Sequence, residues 1–364
     1  MTALGLTWDH PRGRDALREA ARRAPEPVVE WAVQPLEGFE SAPIAELAAA
    51  HDLLVLDHPH VGEAVAEGCL RPLDDLFPAA DLARWREGSV GPSMASYVWA
   101  GRHWALPLDV ATQVVAHRLP APPGSWDEVE EIAARLPVAL SVAGPHALLT
   151  LLTMAAGEGV RPRGEDLLPD ATALPALARI RRLMERAPAG TDALNPIALL
   201  EAMAAGDVAL CPAVFGYVTY AGRVAFSDSI RGPGGLGGVL GGTGIGVTAR
   251  AQPSPDLLAH LAHLMDPGTQ AGLLASHGGQ PSARAAWTDP GVNARSGGFY
   301  AATLATAEAA LLRPRFDGYV AFQTAASARI RAGGDEAATL ADIRRLWREA
   351  RTRARGPLED GEPR

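Results

Sequence analysis

Two short stretches concentrate side chains that could do chemistry. Asp9-His10 is flanked by Trp8 and Arg12, and the second stretch is Asp57-His58-Pro59-His60. Three imidazoles beside two carboxylates can work as general acid and base near neutral pH, because imidazole titrates there and a neighbouring carboxylate orients it. On that reading His10, His58, Asp57 and Asp9 are the catalytic set of an intracellular lyase, isomerase or cyclase. The same groups suit a second role, holding a polyhydroxylated or otherwise polar ligand. Carboxylates accept hydrogen bonds from hydroxyls, while Trp8 and Tyr217 offer apolar faces. Plainer roles compete with both: Trp8 as core packing, His58 and His60 as caps of a following helix, and Asp57 as the start of an Asx turn. No Gly-x-Ser-x-Gly or His-Glu-x-x-His motif supplies a nucleophile or a metal-bound water. His58-x-His60 with His10 could chelate, but Pro59 and Pro11 fit tight turns equally well, so neither a metal nor a cofactor is expected.

Elements that could position these residues are visible in the pattern. Val28–Val33, Ile44–Ala50, Leu53–Leu56 and Glu63–Ala66 alternate short apolar runs with helical spacing, the βαβ rhythm of a mostly parallel sheet. Ligand sites in such folds lie just beyond strand ends. That rule selects Trp8, Asp9, His10 and Arg12 after the first strand, and Asp57, His58 and His60 after Leu53–Leu56. Asp109 with Thr112 and Gln113, then Phe215 and Tyr217, then His277 and Gln280 complete the candidate ligand-binding set. Further on, Ser125 predicts a helix N-cap before Trp126–Leu136, with Asp127 and Glu128 suited to its first turn. Val138–Val142 reads as a buried strand turning into a buried helix, His146–Ala156. Helical patterns over 166–186 and 195–205 precede a strand at Val208–Cys211 and an aromatic loop, Phe215–Tyr220. The glycine-dense Gly232–Gly246 demands tight turns or close backbone approach. It lacks the immediate strand-to-helix turn that would seat a dinucleotide. The last quarter is helical.

Composition narrows the possibilities. With 364 residues, 48% hydrophobic and 21% charged, the chain has the balance of a globular protein and the length for two lobes. Net charge is −9, and the only basic cluster, Arg344–Arg355, reads as the solvated face of a terminal helix, so nucleic acid is not an expected partner. All 33 positive residues are arginine. Schiff-base, pyridoxal-phosphate and phosphate-loop lysines are thereby excluded. Cys69 and Cys211, far apart and without a Cys-x-x-Cys, read as buried free thiols. Gly144, Pro145 and His146 divide the longest uncharged stretch, which argues against membrane insertion. The first residues show no charged segment followed by an apolar one, and no lipoprotein cysteine, so a cytoplasmic location is the expectation.

Four stretches together resemble the family 1 extracellular solute-binding proteins of ABC importers: HDLLVLDHPHVGEAVAEGCLRPLDDL (51–76), WALPLDVATQVVAH (104–117), GGTGIGVTARAQPSPDLLAHLAHLM (241–265) and SHGGQPSARAAW (276–287). Their order and spacing extend the resemblance over nearly the whole chain. It implies a two-lobed α/β fold of the type II periplasmic-binding-protein kind, with hinge-connected domains and a ligand cleft between them. Lobe one would comprise 1–110 plus 248–295, and lobe two 111–247 plus 296–364. The implied function is binding of a small molecule, carbohydrate or another polar solute, with a permease or a sensor protein as the partner.

Overall fold

The computed structural model describes residues 2–358. A seven-stranded sheet forms its centre. The strands are β1 (Ala3–Trp8), β2 (Val29–Gln34), β3 (Leu53–Leu56), β4 (Leu106–His117), β5 (Leu210–Phe215), β6 (Ala225–Ser227) and β7 (Leu240–Val247). Their order is β2-β1-β3-β7-β4-β5, with β6 also on β4. β1 pairs parallel to β2 and β3, as the βαβ rhythm predicts, and β7 runs antiparallel between β3 and β4. β4 is buried along its entire length. Its first part, through Thr112, pairs with β7, and its remainder, from Gln113, pairs with β5 and β6. One strand thus joins two neighbourhoods of the molecule.

The helices follow from local signals. α1 (Pro11–Arg23) begins at the His10 cap, has proline in its first turn and arginines in its last, and buries Ala16, Leu17 and Ala20. Ser125 caps Trp126–Ala133 by accepting from the Glu128 N–H, as expected. α2 (His146–Gly157) is buried on nearly all sides. α3 (Asp170–Arg186), α4 (Pro196–Ala205), α5 (Pro255–Leu264), α6 (Phe299–Glu308), α7 (Tyr319–Arg331) and α8 (Glu336–Arg353) occupy the helical patterns read from the sequence. α7 and α8 share the fully buried Tyr319 and Trp347 in their packing. No helix among the described residues is long and apolar enough to cross a membrane.

One expectation differs from the fold. Val138–Val142 is buried but forms no strand; Val138 bridges Leu210 once, and the chain then turns at Gly144 into α2. The end of the glycine-dense stretch is β7, where the expected close backbone approach is found. Glycine there makes room: a Cβ on Gly244 would lie 2.7 Å from the Tyr97 ring, and Gly242, at φ +111°, passes against the Asp109 carbonyl.

Candidate functional site

The ends of β1, β3 and β4 carry the candidates into two linked clusters. At the first, Trp8 closes β1 and is 3% exposed. The chain then turns, and His10 caps α1 by accepting the Arg12 N–H at Nδ1 (3.2 Å). That cap folds the imidazole back onto the indole, with ring centres 5.1 Å apart and planes 6° from parallel. Tyr217 meets both rings edge-on, at 5.3 Å from His10 and 6.2 Å from Trp8.

Arg12 lies in the first turn of α1 and is buried. Its Nε and Nη2 donate to the Asp109 carboxylate, at 3.0 and 2.5 Å, and its Nη1 donates to the Gly216 carbonyl at 3.3 Å. The guanidinium also lies 4.5 Å from the Tyr217 ring centre. A bidentate pair with an aromatic on one side satisfies a charge that could not otherwise be buried. Gln280 fastens the arrangement. Its backbone N–H donates to Asp109 (3.1 Å), its amide donates to the Val110 carbonyl (2.8 Å), and its Oε1 accepts the Val218 N–H (2.8 Å).

The second cluster begins one strand along, at the end of β3. Asp57 accepts the His58 N–H (2.8 Å) and pairs with Arg313 Nη2 (2.6 Å). Arg313 is 2% exposed, and it also donates to the Leu240 carbonyl (3.1 Å) and to Gln323 (3.3 Å). His58 is buried with Nδ1 3.1 Å from Asp57, and its ring meets Tyr97 edge-on. Strand register ties the clusters together: Leu56 and Pro107 both face Gly244, and Asp109 faces Thr243. Tyr97 donates to the Leu56 carbonyl (3.1 Å). Burial, then the Asp57 and Asp109 carboxylates, push the Tyr97 phenol well up, which puts it within the field of both clusters.

Charges in these clusters compensate one another. Arg12 answers Asp109, Arg313 answers Asp57, and the exposed Asp9 pairs with Arg14. Burial pushes the Asp57 carboxyl up, but Arg313 and the His58 hydrogen bond outweigh it and hold it well below the usual carboxylate range. Burial, reinforced by Arg12, lowers His10 to about 4; burial and Arg313 lower His58 to about 4. Both imidazoles are therefore neutral around pH 7.

Trp8, His10, Arg12, Asp109, Tyr217 and Gln280 are thus brought together, and Asp57 with His58 forms the adjoining group. The other candidates stand apart. His60 is buried with Nδ1 3.7 Å from Glu63. Phe215 packs edge-on to His146 (5.8 Å), and His277 turns its Nδ1 to the Leu273 carbonyl at the end of its own helix (2.8 Å). Thr112 contributes its carbonyl to the Gly216 N–H, while Gln113 is buried and accepts from Thr153. Sequence reasoning missed Arg313 and Tyr97. The pair Arg313-Pro314-Arg315 between two helices was the available signal for the first. No group of three or more His, Cys, Asp or Glu among the described residues is arranged to hold a metal ion.

No protein-family model and no curated protein matches the chain. Solved structures do. An Agrobacterium radiobacter ABC transporter solute-binding protein in complex with ribitol superposes with a TM-score of 0.79 at 20% identity, over 96% of this chain and 98% of that one. The fold is that of the ABC-importer solute-binding proteins. Maltose-bound T. maritima MalE3 (TM-score 0.75, 17% identity, 96% and 99% covered) and Mycobacterium tuberculosis UgpB with glycerophosphocholine (0.77, 17%, 97% and 99%) share it. The two-lobed α/β architecture that the resemblance implied is therefore the architecture of this chain.

Proposed function

We propose that the chain is a solute-binding protein that takes an uncharged, hydroxyl-rich small molecule, a carbohydrate or polyol, in the cleft beside the Trp8–Arg12–Asp109–Tyr217 cluster. In this reading lobe one comprises 1–110 plus 248–295, lobe two comprises 111–247 plus 296–364, and the partner is an ABC permease. One observation carries it. Every carboxylate named at the site already has its own arginine, and both imidazoles are neutral, so the site offers hydrogen-bonding groups with no spare charge, while the Trp8 and Tyr217 rings are buried behind them. A formally charged guest would be desolvated there without a counter-charge. Hydroxyl groups match what remains: the half-exposed His10 and the Asp57 carboxylate, whose side chain is 21% exposed. Solved proteins of this fold carry maltose, ribitol and tagatose, which supports the class of ligand.

The catalytic alternative gains nothing from the geometry. A general base working near pH 7 needs a pKa near 7, whereas burial takes His10 and His58 to about 4, and Asp57 is committed to Arg313.

Calorimetry with maltose, ribitol, D-tagatose and glycerophosphocholine tests the proposal. Saturable binding of at least one neutral probe is expected, with the zwitterion at least about tenfold weaker, a difference of about 1.4 kcal/mol. Binding of glycerophosphocholine alone, or of none of the four, would count against it.

A further inference from the structure

Neither large aromatic of the first cluster turns a free face outward. Trp8 is 3% exposed and Tyr217 5%, and the His10 imidazole covers one face of the indole at 5.1 Å, 6° from parallel. Arg12 and the Tyr217 ring close in on the same indole. The outermost ring of the stack is therefore the half-exposed His10. Backbone geometry sets its chemistry. Nδ1 accepts the Arg12 N–H at 3.2 Å, and a ring nitrogen that accepts a hydrogen bond carries no proton. A neutral imidazole keeps one N–H, so the proton sits on Nε2. Among the described residues Nε2 has no hydrogen-bond partner. The carboxylates whose charge reaches the ring, Asp15 on α1 and Glu201 on α4, are bonded elsewhere, to Arg14 and to Tyr220.

We infer, resting on the carbohydrate reading above, that His10 is the specificity-determining residue of the site: its Nε2–H, fixed by the helix cap, donates to a hydroxyl or ether oxygen of the solute. A ring free to change tautomer would present an acceptor as readily as a donor, and would take an ammonium group as readily as a hydroxyl. The cap removes that choice. Moving the proton to Nδ1 would set two N–H groups against each other and leave a helix N-terminal amide unsatisfied. Stacking on Trp8 holds the imidazole plane, so the direction of the Nε2–H is settled before a solute arrives. Asp57, in the adjoining cluster, can only accept. Hydroxyl groups, which both accept and donate, suit the two residues together, whereas a protonated amine at His10 meets donor with donor.

Two substitutions in the full chain separate the donor from the cap. His10→Asn keeps a capping oxygen where Nδ1 lies but ends short of the Nε2 position, while His10→Gln carries an amide N–H out to that position and caps poorly. If His10 served only as a cap, Asn would bind solute like wild type and Gln would be the impaired variant. The donor predicts the reverse. For whichever of maltose, ribitol and D-tagatose the wild type binds in calorimetry, His10→Asn should raise Kd about tenfold or more, and His10→Gln should raise it less. Nitrogen-15 NMR of the ligand-free wild type at pH 7 should show His10 protonated at Nε2 alone, and adding the bound probe should shift that resonance. A proton on Nδ1, or His10→Asn binding as tightly as His10→Gln or more so, would overturn the donor and leave the carbohydrate reading standing. Binding of none of the three probes by wild type would overturn that reading, and the role of the donor with it, even with the proton on Nε2.

Discussion

Arg12 and Asp109, 97 positions apart, meet in a bidentate ion pair whose two side chains are each 4% exposed. An ion pair this deep has an asymmetric energy. Both charges gave up water to form it, so deleting one partner strands the other, while deleting both together strands neither. Arg12→Met should therefore lower the unfolding free energy by about 3–5 kcal/mol, and Arg12→Met with Asp109→Leu should recover at least half of that loss. Urea denaturation of the three proteins measures it. Additive losses in the double variant would show that the pair is not coupled.

Acid should weaken the protein in two steps. His10 and His58 have folded values of about 4 against 6.5 for an unperturbed imidazole. Between those values the unfolded chain binds protons that the folded chain refuses. Stability is then complete above about pH 6.5 and falls as pH drops towards 4. Asp57 adds a second loss at lower pH, because Arg313 holds its folded value below the ordinary 3.8. Urea midpoints at about pH 7 and about pH 4.5 should differ, and His10→Asn, which keeps an oxygen at the N-cap, should reduce the difference. A midpoint independent of pH over that range would contradict the neutral, buried imidazoles.

Both thiols should be silent until the chain unfolds. Cys211 is fully buried on β5, and burial pushes it up to about 12; burial and the nearby Glu67 and Glu63 also raise Cys69. Only the thiolate attacks a disulfide reagent. Native protein should release no thiol equivalents to such a reagent at pH 8 within minutes, and protein in guanidinium should release two. Rapid reaction of one equivalent in the native state would identify Cys69 as more open than described.

What the sequence made legible was local. Leu53–Leu56 is a short apolar run bounded by Asp52 and Asp57, and it is a strand; Ser125 before Trp126-Asp127-Glu128 is a cap; His146–Gly157 is a helix because its apolar run is too long for a strand. Val138–Val142 misled because its backbone reaches the start of β5 for a single bridge only, Ala209 N–H donating to the Pro137 carbonyl and Ala139 N–H to the Leu210 carbonyl, which its apolar pattern does not reveal. Chain order placed Trp8 and Asp57 at strand ends, where the structure has them, while Asp109 lies inside β4. The partners of these residues were not legible. Arg313 reaches Asp57 across 256 positions, and although the Arg313-Pro314-Arg315 run marks a local feature, nothing in it names Asp57 as the partner. Nor could spacing show that the His10 cap would fold the imidazole over Trp8, since that follows from the cap geometry.

A last prediction concerns the close passage between the start of the Val61–Ala66 helix and the return segment that carries Arg313 and Arg315. A Cβ on Gly62 would lie 1.8 Å from the Arg315 carbonyl oxygen and 2.9 Å from the Asp317 nitrogen. Both are backbone atoms, so no side-chain rotation can relieve the overlap, and the return segment itself must move. Arg315 donates to the Ala95 and Ser96 carbonyls from the same segment, and Arg313 holds Asp57, so that movement would loosen both grips. Gly62→Ala should cost about 1–3 kcal/mol, as overpacking of a tight interior does, and should shift the amide resonances of Arg313, Arg315 and Asp317. Gly272→Ala is the control. A Cβ there meets nothing within 4 Å, and its effect should stay within about 0.5 kcal/mol. Equal stabilities for the two variants would show that the backbones at Gly62 and Arg315 are farther apart than described.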